Sequence, residues 1–278
     1  IPYNNLNTYG DEVLRYLRRY DVDYVDVRDV FRDADMKAKD IFYHTDHHWT
    51  VPSAFYATGK IIDHLNQKFE ANLDPDGYYR DLNNYTIETY SHIYMGSQGR
   101  DAGLIYSRRL DDYSFLYPKF ATNYHYYSRY KGGKEANKDG PIDRTLIDRK
   151  YLDYADPYDR EMNNSYLQGV VRFDQIDNKL NPNGPTALFI RDSYSSPVAT
   201  FLSPMFSRIE LLWSLHFSPT GDGSIQKMLE KKHFDYVFVA LALDNFTNEG
   251  TPFYTDDPKA AENGDADVAA QGQDPAAH

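Results

Sequence analysis

Four residues able to handle protons or metals, His44, Asp46, His47 and His48, crowd the stretch IFYHTDHHWT between Ile41 and Thr50. Read as a strand end, alternation puts His44, Asp46 and His48 on one face and Thr45, His47 and Trp49 on the other. An Asp two residues from a His on one face makes an acid–base pair. The carboxylate orients the imidazole and stabilises its cation, leaving the second ring nitrogen to take a proton from a nucleophile. The same donors also fit a metal site on His44, Asp46 and His48, or a polar turn. A candidate nucleophile lies far downstream in TALFIRDSYSSPVAT, Thr186 to Thr200. There Ala187 to Ile190 is a short apolar run that reads as a buried strand. Pro197 suits the first turn of a helix capped by Ser195 or Ser196. Ser193 therefore falls on a strand-to-helix turn, beside N–H groups able to form an oxyanion hole. A capping serine fits the same position.

Taken together, DHHW followed by Thr and a later apolar strand ending in DSYS resemble the DHHW proteins. These are relatives of the alginate O-acetyltransferases within the SGNH-hydrolase-like group. The resemblance extends to Tyr94-Met95-Gly96-Ser97-Gln98-Gly99-Arg100, similar to the family's GSxGR element, and to DYVFVAL near the end, and covers most of Asp23 to Phe246. It implies a Ser-His-Asp triad of Ser193, His48 and Asp46, with Tyr94, Gly96, Ser97 and Arg100 as substrate-binding residues and no metal or cofactor. Ser193 N–H plus a second donor would form the oxyanion hole. The nucleophile follows the Asp and His in the chain, as in the acetyltransferase branch and opposite to ordinary SGNH hydrolases. Arg191 departs from the Gly that many relatives carry, and could crowd or charge the site.

By the same resemblance the activity is extracytoplasmic polysaccharide O-acetylation through an acetyl-serine. The acceptor is a glycan polymer, and a membrane-bound O-acyltransferase supplies the acetyl group. The alternatives are a carbohydrate acetylesterase with the same triad, and a catalytically idle glycan-binding protein. The family usually carries an N-terminal anchor or signal and a further βα segment, so a chain opening on Ile1-Pro2 is expected to be trimmed.

Composition narrows the partners. The 278 residues carry a formal net charge of −12 and no Cys. That balance disfavours nucleic acid and anionic membrane surfaces, and makes a neutral or partly cationic glycan a better acceptor than a strongly anionic one. Disulfides and Cys-based zinc sites are excluded, and no apolar run is long enough to span a bilayer.

The elements that must position these residues read as an α/β fold: an SGNH-hydrolase-like, mostly parallel sheet flanked by helices, with a Tyr-rich irregular insertion. Residues 1–255 form the catalytic domain, 74–183 an elaboration within it, and 256–278 a polar tail of disordered composition. Asp11 to Tyr20 is a helix with acids first and bases last; Asp23 to Phe31 alternates as a half-buried strand. Thr50 caps a helix with Pro52 in its first turn and Ala54, Phe55, Ile62 and Leu65 on its inner face. His64 beside that face reads as structural. Of 26 Tyr, 16 fall between Tyr78 and Tyr166, where they suit either sugar stacking or the packing of loops. Lys131 to Gly140 is a polar turn or hairpin tip. Ser196 to Phe206 reads as a helix interrupted near Pro204, Arg208 to Leu215 as a buried strand, Ser224 to Lys232 as a helix and Asp235 to Leu243 as a core strand. Strand, helix, strand, helix, strand calls for parallel pairing, with ligands at the carboxyl ends, where both chemical turns fall. Asp244, Asn245 and Phe246 end the last strand on that side.

Overall fold

The computed structural model describes residues 6–33, 36–130, 133–169, 171–213 and 225–246. The tail from 256, the Ser214–Leu215 end of the expected strand, Ser224 and the side chains of Asp244 and Phe246 lie outside what is described. The chain opens with helices α1 (Leu6–Arg19), α2 (Arg28–Asp33), α3 (Ala38–Ile41) and α4 (Val51–Phe69). Strand β1 (Tyr85–Tyr94), helices α5 (Ser97–Ala102) and α6 (Leu104–Ser107), and strands β2 (Asp111–Pro118), β3 (Tyr124–Arg129) and β4 (Glu135–Gly140) follow. Then come α7 (Ile142–Thr145), β5 (Phe173–Asn178), β6 (Thr186–Arg191), α8 (Ser195–Leu202), β7 (Arg208–Trp213), α9 (Ile225–Lys231), β8 (Tyr236–Ala240) and α10 (Leu243–Phe246).

Six strands form one sheet in the order β4-β3-β5-β7-β6-β8, and β1 and β2 form a separate antiparallel pair. Only β7-β6 and β6-β8 pair in parallel; β4-β3, β3-β5 and β5-β7 are antiparallel. The expected mostly parallel sheet is therefore a mixed one. The cause is the Tyr-rich stretch 74–183, which is less irregular than its composition implies: it supplies β1 to β5 and extends the sheet antiparallel. Its tyrosines divide by role. Tyr85, Tyr94, Tyr113, Tyr124, Tyr126 and Tyr166 are buried in the core, while Tyr78, Tyr154 and Tyr158 are exposed.

Other local differences have local causes. Asp23 to Val27 forms no strand, because Arg28 turns back onto Asp26, its N–H and Nε 3.1 and 2.9 Å from one carboxylate oxygen, and opens α2. The second half of Lys131–Gly140 is edge strand β4, polar along its length as exposed edges are. Ser195 and Ser196 lie inside α8 rather than capping it; Tyr194 holds the cap position. The Thr50 cap is as expected, its Oγ1 accepting from Ser53 N at 3.3 Å with Pro52 in the first turn. Phe55, Ile62 and Leu65 of α4 meet Phe201 and Leu202 of α8, Phe115 of β2 and Phe189 of β6 in one core. Burying side chains of this size contributes roughly 1.5–3 kcal/mol each. That core fixes α4 and α8 side by side, so the loop before one and the turn before the other meet.

Candidate active site

Ile41 to Thr50 is a closed loop, not a strand end. Phe42 and Trp49 form an antiparallel bridge, and Tyr43 N and Thr50 N donate to His48 O and Ile41 O across the neck, at 3.2 and 2.8 Å. The bend breaks strict alternation: Thr45, Asp46 and His48 point inward, whereas His44 and His47 are exposed. Asp111 holds the loop, accepting from His44 N, Thr45 N and Thr45 Oγ1 at 2.9, 2.7 and 2.7 Å.

The GSQGR segment lies beneath this loop. Gly96 N donates to Thr45 Oγ1 (2.9 Å), Ser97 N to Asp46 Oδ2 (2.8 Å) and Gly99 N to Thr45 O (2.8 Å). A Cβ on Gly96 would fall 2.1 Å from Asp46 Cβ, and one on Gly99 2.7 Å from Thr45 Cβ. These glycines are required by close approach. Of the residues expected to bind substrate, Gly96 and Tyr94 are buried and face the Asp46 side of the loop, Ser97 bridges to it, and Arg100 lies 3.6 Å from Glu161.

From there a row of hydrogen bonds runs outward. Asp46 Oδ1 accepts from His48 N at 2.9 Å and lies 2.5 Å from His48 Nδ1; His48 Nε2 lies 2.5 Å from Ser193 Oγ. With Nδ1–H given to the carboxylate, Nε2 is left as acceptor for the serine hydroxyl. Asp46 is 3% exposed and His48 9%. Burial by itself would raise the Asp46 carboxyl, but the hydrogen bonds from His48 and Ser97 and the His48 charge hold it well below the usual carboxylate range. Asp46 is thus a fixed anion beside the imidazole.

Ser193 sits on the turn between β6 and α8 at the carboxyl end of the parallel trio. Asp192 anchors that turn: its carboxylate accepts from Tyr194 N (3.0 Å), Ala242 N (2.5 Å) and Asn245 Nδ2 (2.8 Å). Asn245 thus braces the site from α10, the short helix after β8. Trp49 Nε1 donates to Tyr194 O at 3.2 Å and Tyr194 OH to His47 O at 2.5 Å, tying turn to loop. Tyr194 N is committed to Asp192, and Ser193 N has no hydrogen-bond partner among the described residues.

Arg191 neither crowds nor charges this site. It is fully buried on the far side of the turn, its guanidinium 2.6 Å from Asp174 Oδ2 and 3.0 Å from Ser196 Oγ, with its head over the Trp213 ring. Asn163, which no sequence motif singles out, gives its amide to Asp46 Oδ1 (3.0 Å) and Tyr94 OH (2.5 Å). Beside Ser193, a cavity of about 20 Å³ lined by Tyr43, Trp49, Val51, Tyr113, Asn163 and Pro197 has room for about one water-sized group. Asp46, His47 and His48 offer ligand atoms within 4.8 Å of one another, a different trio from His44, Asp46 and His48.

A parallel β-α-β core brings Ser, His and Asp together at its carboxyl end, the arrangement that the resemblance to SGNH-hydrolase-like proteins implies. Comparison with known proteins agrees: the family model described as SGNH hydrolase-like domain, acetyltransferase AlgX, matches residues 3–85. A DHHW family protein from Eubacterium siraeum is similar in structure, with 15% identity, 87% of this chain and 69% of that chain covered, and a TM-score of 0.58. Bacillus cereus PatB1 with a sulfonyl adduct is similar at 18% identity, 85% and 73% coverage and a TM-score of 0.66. A second PatB1 structure gives 17%, 85%, 75% and 0.61. No curated protein matches the sequence. The resemblance to DHHW proteins and the alginate O-acetyltransferase branch is thereby borne out. No helix among the described residues is long and apolar enough to cross a membrane.

Proposed function

We propose that this chain is an extracytoplasmic polysaccharide O-acetyltransferase working through an acetyl-Ser193 intermediate. Ser193 Oγ attacks the acetyl carbonyl while His48 Nε2 takes its proton, and Asp46 holds the imidazolium that forms. Collapse expels the donor's leaving group, which recovers the proton from His48. A sugar hydroxyl then gives its proton to His48 and attacks the ester, releasing the acetylated glycan and free Ser193. Ser193 N–H, without another partner among the described residues, stabilises the oxyanion. The observation that carries this function is the 2.5 Å approach of His48 Nε2 to Ser193 Oγ across 145 residues of sequence.

Three features support it further. The family model that matches belongs to an acetyltransferase domain. The cavity beside Ser193 is the size of a methyl group. The inward turn of Arg191 removes the reason to regard the triad as disabled. A membrane-bound O-acyltransferase is the proposed source of acetyl groups, and Gly96, Ser97 and Tyr94 act by bracing Asp46.

The test is the fate of the acetyl group. With an aryl acetate as donor, aryl release should depend on Ser193, and a suitable glycan oligomer should draw acetyl to itself faster than water does. Acetate as the sole product with neutral, acidic and amino-sugar oligomers would assign the chain to the esterases. Absence of aryl release would assign it to idle glycan binders.

A further inference from the structure

A second cavity lies on the outer side of the Asp46 loop, away from the row that ends at Ser193. It is a groove of about 940 Å³ with His44, Gly99, Ala102, Ile105, Arg108 and Arg109 among its walls. Its chemistry differs from that of the rest of the chain. The protein as a whole carries a net charge of −12, yet the ionisable groups that line this groove are two arginines and a histidine, with no carboxylate. Neither guanidinium has an acidic or hydrogen-bonding partner among the described residues. Arginines left unpaired at an apolar rim suit bidentate carboxylate recognition.

The floor and the rim point the same way. Gly99 and Ala102 are small residues of its wall, and Ile105 projects with 97% of its surface exposed. Arg108 is held at φ +64 with Arg109 N donating to Ser107 O at 2.8 Å, a three-residue turn of the strained γ kind. That turn presents consecutive arginines at the groove. None of the described side chains that line the groove is aromatic, so none of them offers the stacking face that sugar rings use. We propose that the groove docks an acidic, partly apolar peptide segment of a partner protein, with carboxylates on Arg108 and Arg109 and an apolar side chain against Ile105. Because Thr45, next to Asp46 in the loop, lines the groove with Gly99, whose N–H donates to Thr45 O, the docked segment lies against the loop that carries Asp46 and His48. The site stands on this charge and shape alone and is independent of the acetyl-transfer mechanism.

The test uses the whole chain and a fluorescein-labelled peptide of alternating Glu and Leu, about ten residues long, followed by anisotropy. The wild type should bind it. The Arg108→Glu/Arg109→Glu variant should bind at least tenfold more weakly, as should Ile105→Asp, both with unchanged melting temperature. Replacing Glu by Gln in the peptide should weaken binding to the same degree. No binding by the wild type, or equal binding by the charge-reversed variant, would overturn the proposal. Oligogalacturonate that binds with higher affinity than the peptide would also overturn it, by assigning the groove to an acidic glycan.

Discussion

Two buried carboxylates lie on either side of the turn after β6, and they behave in opposite ways. Asp46, at the candidate site, is gathered by His48, Ser97 and Asn163, and is held well below the usual carboxylate range. Asp174, behind the turn, meets Arg191 and the Tyr126 hydroxyl, yet complete burial pushes it up to about 6. Both are desolvated. What separates them is the number of oriented donors set against that desolvation. Asp46 is held as an anion beside the His48 imidazole. Asp174 neutralises a buried arginine, and its role is to hold the fold.

That contrast is open to direct attack. The largest expected effect is on rate: Asp46→Asn should slow acetylation of Ser193 by an aryl acetate on the order of 10⁴-fold. Asp174→Asn should leave that rate near wild type, because Asp174 lies behind the turn and bonds Arg191 and Tyr126 rather than His48 or Ser193. If Asp174→Asn matched Asp46→Asn in rate, the division of roles would fail. Next in size, Gly96→Ala should slow labelling and cost roughly 1–3 kcal/mol, since its Cβ has no room beside Asp46.

The smallest effects concern pH. The low Asp46 value gives stability that is fully present above the unfolded carboxylate pKa of about 3.9 and is lost as pH falls below it. The raised Asp174 value acts the other way: its contribution is full below about 3.9 and is lost as pH rises through about 6. Melting temperature against pH should therefore drop less steeply below pH 4 in Asp46→Asn. In Asp174→Asn the decline between pH 4 and 6 should disappear. Parallel profiles for both variants and the wild type would contradict the opposite shifts.

Much of this site could be read before the fold was known, for reasons that differ by residue. Asp46, His48 and Ser193 stand in short runs with type and spacing peculiar to them, so the resemblance located all three. The GSQGR segment was legible as an element but not in its geometry: its glycines serve closeness to Asp46 and Thr45, which no local pattern encodes. Asn163 and Asp111 lie in Tyr- and Asp-rich sequence that carries no signal, and only tertiary folding brings them to the loop. The parallel trio followed from apolar runs at β6, β7 and β8. The antiparallel half did not, because β4 and β5 are largely polar and β3 is Tyr-rich, with Tyr124 and Tyr126 of β3 and Asp174 of β5 at inward positions. Arg191 shows how a residue two positions from Ser193 can belong to the core: alternation at the end of β6 turns it away from the site.

Capture of the nucleophile tests the central claim most directly. The chain should be incubated with an aryl acetate, cleaved with trypsin, and the peptide Asp192–Arg208 sequenced by mass spectrometry. That peptide also contains Ser195, Ser196, Ser203 and Ser207, so fragmentation must place the group. The acetyl group should sit on Ser193 in the wild type and be absent in His48→Ala, because a serine hydroxyl at neutral pH is a poor nucleophile without its base. Label on Ser195 or Ser196, or label undiminished in His48→Ala, would contradict the assignment of Ser193 and His48 as nucleophile and base.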